Sequence, residues 1–231
     1  CIRDRLGLSH TNPRICQERA KRMVSLKPNG FQITLPDWWP PTFNESKNFI
    51  LGMQEVVEDI YMILYNPPHA KVLLSLEEIS LLKQSVQNLV GIKCAGGDEQ
   101  WYSQRRELLD DFSVFVPGHT VVYGKPLGAN GSYSNVACLS PNGAVKIWDL
   151  IEKDYEKAQE LEAKVLNFMK QYILPFANKL SNTGLDKLLA SVGGWGPVSE
   201  KVLWPYDGAT AEDVKKIKIH ANNELEEILN V

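Results

Sequence analysis

The stretch Leu89-Val-Gly-Ile-Lys-Cys-Ala-Gly-Gly97 decides how the rest of the chain is read. A short apolar run ends in a lysine and then breaks at two glycines. Similar runs stand on either side of it. Phe31-Gln-Ile-Thr-Leu35 and Ile60-Tyr-Met-Ile-Leu-Tyr65 precede it, and Phe112-Ser-Val-Phe-Val116 follows, with a weaker run at Gly131-Ser-Tyr-Ser-Asn135. Apolar runs of this length suit strands covered by helices.

Helix signals fill the gaps between these runs. Asn12-Pro13 sets a capping residue before a proline, and the helix extends to about Leu26, stopping at Lys27-Pro28-Asn29-Gly30. Ser75-Leu-Glu-Glu78 is a capping box, followed by Ile79, Leu81, Leu82 and Val86 on one face. A further helix fits residues 98–108. Beyond the fifth run the pattern is helical only, over about 142–151, 154–171 and 185–192, with Thr210 capping a last helix toward Leu229. Alternating strand and helix implies a parallel sheet, because parallel strands need crossovers. In such folds the chemistry sits where strands end and loops begin.

Composition removes several function classes. The chain has 231 residues, and its net charge of −3 gives no basic excess for nucleic acid. No apolar run is long enough to span a bilayer. Cys1, Cys16, Cys94 and Cys138 lie far apart without a C-x-x-C pair, so zinc and redox-motif readings lack support, and a reduced, cytoplasmic protein is expected. Asn44 and Asn130 open N-x-S triplets, which carry little weight alone.

The strand ends carry polar groups inside apolar surroundings. Lys93 lies between Val90, Ile92 and Ala95. Desolvation there disfavours the charged form, and a neutral amine can attack a carbonyl; a surface or ion-paired lysine is the plainer alternative. Tyr65 is a candidate proton shuttle through its hydroxyl, or simply a packed aromatic. Asn66 and His69 follow it. Gly118 permits close approach by a ligand, or only makes a turn. Trp38 and Trp39, set among prolines, suit a pocket wall or a subunit contact. His69 and His119 lack metal-ligand spacing, so no metal or other cofactor is expected.

Three segments together resemble the dihydrodipicolinate synthase/N-acetylneuraminate lyase family. They are Ile63-Leu-Tyr-Asn-Pro-Pro68, Leu89-Val-Gly-Ile-Lys93 and Gly128-Ala-Asn-Gly-Ser-Tyr-Ser-Asn135. The resemblance runs from about Ser9 to the C-terminus. It implies a (β/α)₈ TIM barrel, with residues 1–140 forming barrel and 141–231 forming helices that complete and extend it as one domain, usually in a homodimer or homotetramer. It also implies a class I lyase acting on a 2-keto acid such as pyruvate. Lys93 matches the imine lysine and Tyr65 the proton-shuttling tyrosine, while Gly118 and Tyr133 match positions lining the keto-acid pocket.

Three departures qualify the substrate. The family's opening strands, with their Thr-containing carboxylate motif, are not seen, and a closed barrel implies about 60–80 further N-terminal residues. No strand is expected over Cys1–Leu6, which reads as the end of an amphipathic helix, and almost none between Leu6 and Ser9. The loop Pro36-Asp-Trp-Trp39 replaces the family's adjacent tyrosines. Ala70 stands where lysine-biosynthetic members carry an arginine, so aspartate semialdehyde is disfavoured and an acceptor with an apolar or stacking face expected. A dehydratase or hydratase-aldolase on a sugar acid or keto acid is the rival enzyme. A barrel that binds a keto acid without chemistry is another alternative, and Cys1 as an N-terminal nucleophile or lipidated residue a third.

Overall fold

The protein was analysed as a computed structural model, which describes residues 4–230. The sequence reading of Cys1 therefore falls outside the described residues. Six strands form one sheet in sequence order, β1 (Arg5–Gly7), β2 (Gly30–Ile33), β3 (Tyr61–Tyr65), β4 (Leu89–Lys93), β5 (Ser113–Pro117) and β6 (Gly131–Tyr133). Neighbours from β1 to β5 pair in parallel. The parallel α/β architecture is thus present, but among the described residues the sheet has six strands and not the eight of a closed barrel.

The crossovers are α1 (Pro13–Val24), α2 (Phe43–Val57), α3 (Leu76–Ser85), α4 (Glu99–Leu108) and α5 (Val121–Leu127). After β6 come α6 (Val136–Leu139), α7 (Pro141–Lys153), α8 (Tyr155–Phe168), α9 (Asn182–Gly193), α10 (Ala211–Glu224) and α11 (Glu226–Leu229). Local chemistry sets many of these starts. The Asn12 side chain accepts the Arg14 N–H at 3.0 Å ahead of α1. Ser75 and Glu78 exchange reciprocal bonds of 3.3 and 2.9 Å at α3.

The chain divides into two compact units. The first holds residues 4–115 and 127–130. Its core forms because strand side chains alternate between faces. Ile33, Leu64, Ile92 and Val114 are register partners in one row, and all are buried. Burial of each contributes about 1.5–3 kcal/mol relative to exposure. One position further on, Tyr65, Lys93 and Phe115 form a row pointing to the other face. On that face the Arg5 guanidinium of β1 lies 4.1 Å from the centroid of the Phe115 ring of β5. Strands four places apart in a flat sheet are separated by roughly 19 Å, at about 4.8 Å per strand. An arginine cannot bridge that distance, so β1 to β5 curl, and Tyr65 and Lys93 lie on the concave side.

The second unit holds residues 116–126 and 131–230. Within it α6 packs on α9 and α7 on α8. Leu139, Leu161, Val165, Phe168, Leu188 and Val192 are among its buried apolar side chains.

One expectation needs correction, and two segments without one are now assigned. Arg5–Gly7 is a strand and not a helix end, because its backbone pairs with Gly30–Gln32. The segment 43–57, left unassigned above, is helix α2. It starts at a Thr42/Glu45 capping box and buries Ile50, Met53 and Val57. The proline of α5, Pro126, sits inside a short helix over 121–127 that was also unassigned.

Candidate functional site

Parallel pairing brings the two principal candidates together. Tyr65 ends β3, Lys93 ends β4, and their Cα atoms are register partners. The Lys93 Nζ lies 4.0 Å from the centroid of the Tyr65 ring. Both side chains are half-buried. The Asn66 N–H donates to the Lys93 carbonyl at 2.9 Å, which locks the two strand ends at one level. The Asn66 side chain also bonds both backbone groups of Leu74, at 3.0 and 3.2 Å, pinning the loop after β3. His69 meets the Tyr65 ring edge-on, with centroids 6.4 Å apart.

A β-bulge makes this alignment possible. The register shifts between Met62 and Ile63, so that Met62 pairs with Leu89 but Ile63 with Gly91. Val90 is the extra residue. Without it, Tyr65 would stand opposite Ile92. Cys94, next to Lys93, points to the other face by alternation, and burial pushes its thiol up to about 11. It is a protonated wall residue and not a nucleophile.

Beside Tyr65 opens a pocket of about 520 Å³. Its polar lining includes His10, Thr11, Thr34, Asp37, His69 and Lys71, and Ala70 contributes a methyl group. His10 Nδ1 accepts the Asn12 N–H at 2.9 Å, which places the proton of the neutral ring on Nε2. Trp38 and Trp39 are 80% and 78% exposed, and the wall is built instead from Leu35, Pro36, Asp37 and Pro41. Trp38 takes part through its backbone, since the Lys71 Nζ donates to its carbonyl at 3.0 Å. Sequence reading had not selected His10, Thr11 or Thr34. They fall in short polar stretches, and only the sheet gathers them.

Gly118 and Tyr133 belong to the second unit. Gly118 is buried against Ser134, directly after β6, where an added Cβ would lie 2.8 and 2.9 Å from Ser134 Cβ and Cα. This close approach is what requires glycine there. His119 Nδ1 pairs with the Asn135 amide, whose nitrogen lies 2.8 Å away. Tyr133 is half-buried. Among the described residues no group of three or more His, Cys, Asp or Glu side chains could hold a metal ion, and no helix is long and apolar enough to cross a membrane.

With this geometry in view, three comparisons are informative. The model of the dihydrodipicolinate synthetase family matches residues 18–218. A 4-hydroxy-tetrahydrodipicolinate synthase of Teredinibacter turnerae is 33% identical over 106 residues, which are 45% of this chain and 36% of that protein. The matched stretch thus spans about a third of that relative's length. Among solved structures, a prophage protein of the dihydrodipicolinic acid synthase family from E. coli K12, in complex with pyruvate, superposes with a TM-score of 0.80 at 20% identity, covering 96% of this chain and 74% of its own. The N-acetylneuraminate lyase of Fusobacterium nucleatum superposes with a TM-score of 0.77 at 17% identity, covering 95% and 73%. At these identities the superpositions speak to fold.

Proposed function

The chain belongs to the dihydrodipicolinate synthetase family, and from that premise we propose that it is a lyase that forms an imine between Lys93 and a 2-keto acid. The observation that carries the reading is the Lys93 Nζ held 4.0 Å over the Tyr65 ring at the ends of paired strands.

The chemistry follows from those two groups. The Lys93 amine adds to the keto carbon and gives a carbinolamine, which loses water to form the imine. Once protonated, the imine nitrogen accepts, through the carbon next to the imine carbon, the electron pair released when that carbon's bond to the hydroxyl-bearing carbon breaks. The hydroxyl passes its proton to the Tyr65 oxygen and becomes the aldehyde carbonyl, and the keto-acid half is left as an enamine. Condensation runs the same step in reverse. Tyr65 relays the proton that the carbinolamine hydroxyl needs to leave as water. The Tyr65 ring has a second role. A cation over an aromatic face gains about 0.5–2 kcal/mol, and the protonated imine is such a cation.

The pocket beside Tyr65 would take the other half of the substrate. Its lining offers hydroxyls, imidazoles and one opposed pair of charges, Asp37 and Lys71, and no arginine fork. Such a mixture of donors and acceptors favours a polyhydroxylated aldehyde over one with a single carboxylate. The exposed indoles of Trp38 and Trp39 leave little support for the stacking acceptor expected from sequence.

Borohydride reduction with a panel of 2-keto acids, followed by peptide mass mapping, tests the proposal. The expected result is one adduct on Lys93, absent from Lys93→Ala. Failure of every keto acid to form an adduct overturns the lyase reading and leaves a barrel that binds without chemistry.

A further inference from the structure

A second cavity, of about 410 Å³, lies behind the strands that carry Tyr65 and Lys93. Ile92 and Cys94 line it, and by alternation both face away from Lys93. Leu73, Leu74, Leu76 and Ile79 form an apolar wall at the start of α3. Trp101, in the first turn of α4, also lines it. Its side chain packs directly on Gly97, where an added Cβ would lie 2.5 Å from Trp101 Cβ and Cγ. Tyr102 braces the indole edge-on, with centroids 5.0 Å apart. One end of the cavity is polar, where the Gln104 amide donates to the Glu77 carboxylate.

We propose that this cavity is a binding site for a small aromatic amine, with its ring against Trp101 and the leucine wall and its ammonium on Glu77. The volume is within the range of small-molecule sites, about 300–1,000 Å³. An indole and a set of aliphatic side chains in one lining suit an aromatic ring. Glu77 gives the site its sign. Its own N–H and the Ser75 hydroxyl hold its carboxyl below the usual range, so it is ionised near neutrality. Gln104, the Glu77 N–H and the Ser75 hydroxyl together use three of the roughly four acceptor positions of a carboxylate, which leaves one for an ammonium. An anionic ligand of the same shape would face Glu77 with repulsion. Cys94, a protonated thiol, adds apolar surface.

An occupant would touch the residues that directly follow Tyr65 and Lys93. Asn66 and Cys94 both line the cavity, and their N–H groups bond the Lys93 and Phe115 carbonyls at 2.9 and 3.0 Å. Binding is therefore expected to slow exchange of these two amides. This inference stands independently of the imine chemistry.

Calorimetric titration of the full chain with tryptamine and with indole-3-acetate, as probes of opposite charge, provides the test. Tryptamine is expected to bind saturably and at least roughly ten-fold more tightly than indole-3-acetate, with Glu77→Gln removing that preference, as suits loss of a charge-assisted bond. Glu77 is exposed and lies outside the Ser75/Glu78 capping box, so this variant keeps the fold. Hydrogen exchange should show protection at Asn66 and Cys94 with tryptamine. Equal binding of the two probes, no binding of either, an unchanged preference in Glu77→Gln, or protection elsewhere in place of these amides would overturn the proposal.

Discussion

Tyr65 offers Lys93 a ring face and, at its far end, a hydroxyl. The ring lies under the Nζ at 4.0 Å, and only the hydroxyl can move a proton. Tyr65→Phe separates the two. The ring contact survives, so borohydride trapping at Lys93 should persist. Turnover should fall by roughly 10²–10⁴-fold, the usual scale of general acid–base catalysis. A Tyr65→Phe enzyme with unchanged kcat would mean that another group carries the proton. Lys93→Ala should abolish trapping altogether, because the imine requires that amine.

The C-terminal helix α11 is held by a charge network that makes its docking depend on pH. Glu227 pairs with Lys157 and Lys164 of α8, each at 2.8 Å. The Lys146 Nζ donates to the Glu227 carbonyl and the Ser140 hydroxyl to the Ile228 carbonyl, both at 2.8 Å. Hydrogen bonds from Lys157 and then Lys164 bring the Glu227 carboxyl down to about 2. A folded-state value depressed below the ordinary 4.5 favours folding above that value and loses its benefit as pH falls toward 2. All three side chains are partly exposed, at 31%, 39% and 43% for Lys157, Lys164 and Glu227, so solvent and salt screen the effect and it should be modest. Thermal melts of the native chain and Glu227→Gln are expected to differ near neutrality and to converge between about pH 4.5 and 2. A constant gap across that window would place the role of Glu227 in packing and not in charge.

At the scale of the whole molecule, the two units interleave along the chain. Residues 127–130 return to the first unit, while 116–126 and the residues from 131 belong to the second. Asn130 fixes that return. Its side-chain oxygen accepts the Val114 N–H of β5 at 2.9 Å and lies 3.4 Å from the Arg105 guanidinium. Asn130→Ala should therefore cost about 1–3 kcal/mol in urea denaturation, the penalty for an unpaired buried donor. Asn130→Asp keeps the acceptor and should recover most of that loss. Equal stability of all three proteins would show that Val114 finds another partner.

Much of this was legible in the sequence because it is local. The runs ending at Tyr65, Lys93 and Val116 show their strands through composition, and Asn12, Ser75 and Thr210 mark helix starts through capping chemistry that needs only neighbouring residues. The motif around Lys93 was enough to suggest an amine at a strand end. What the sequence lacked was pairing. Arg5–Gly7 has no apolar run, and it is a strand only because β2 lies beside it. Thr42 and Glu45 did carry a capping signal for α2 that was available to be read. The indoles of Trp38 and Trp39 are as conspicuous in sequence as any pocket wall, yet the loop turns them outward. The bulge at Val90 was invisible for the same reason. It is a relation between β3 and β4, and no property of Leu89–Lys93 alone decides that Lys93, and not Ile92, meets Tyr65. The chain's own residues supplied the amine and the phenol; the register between two strands, a long-range choice, placed one over the other.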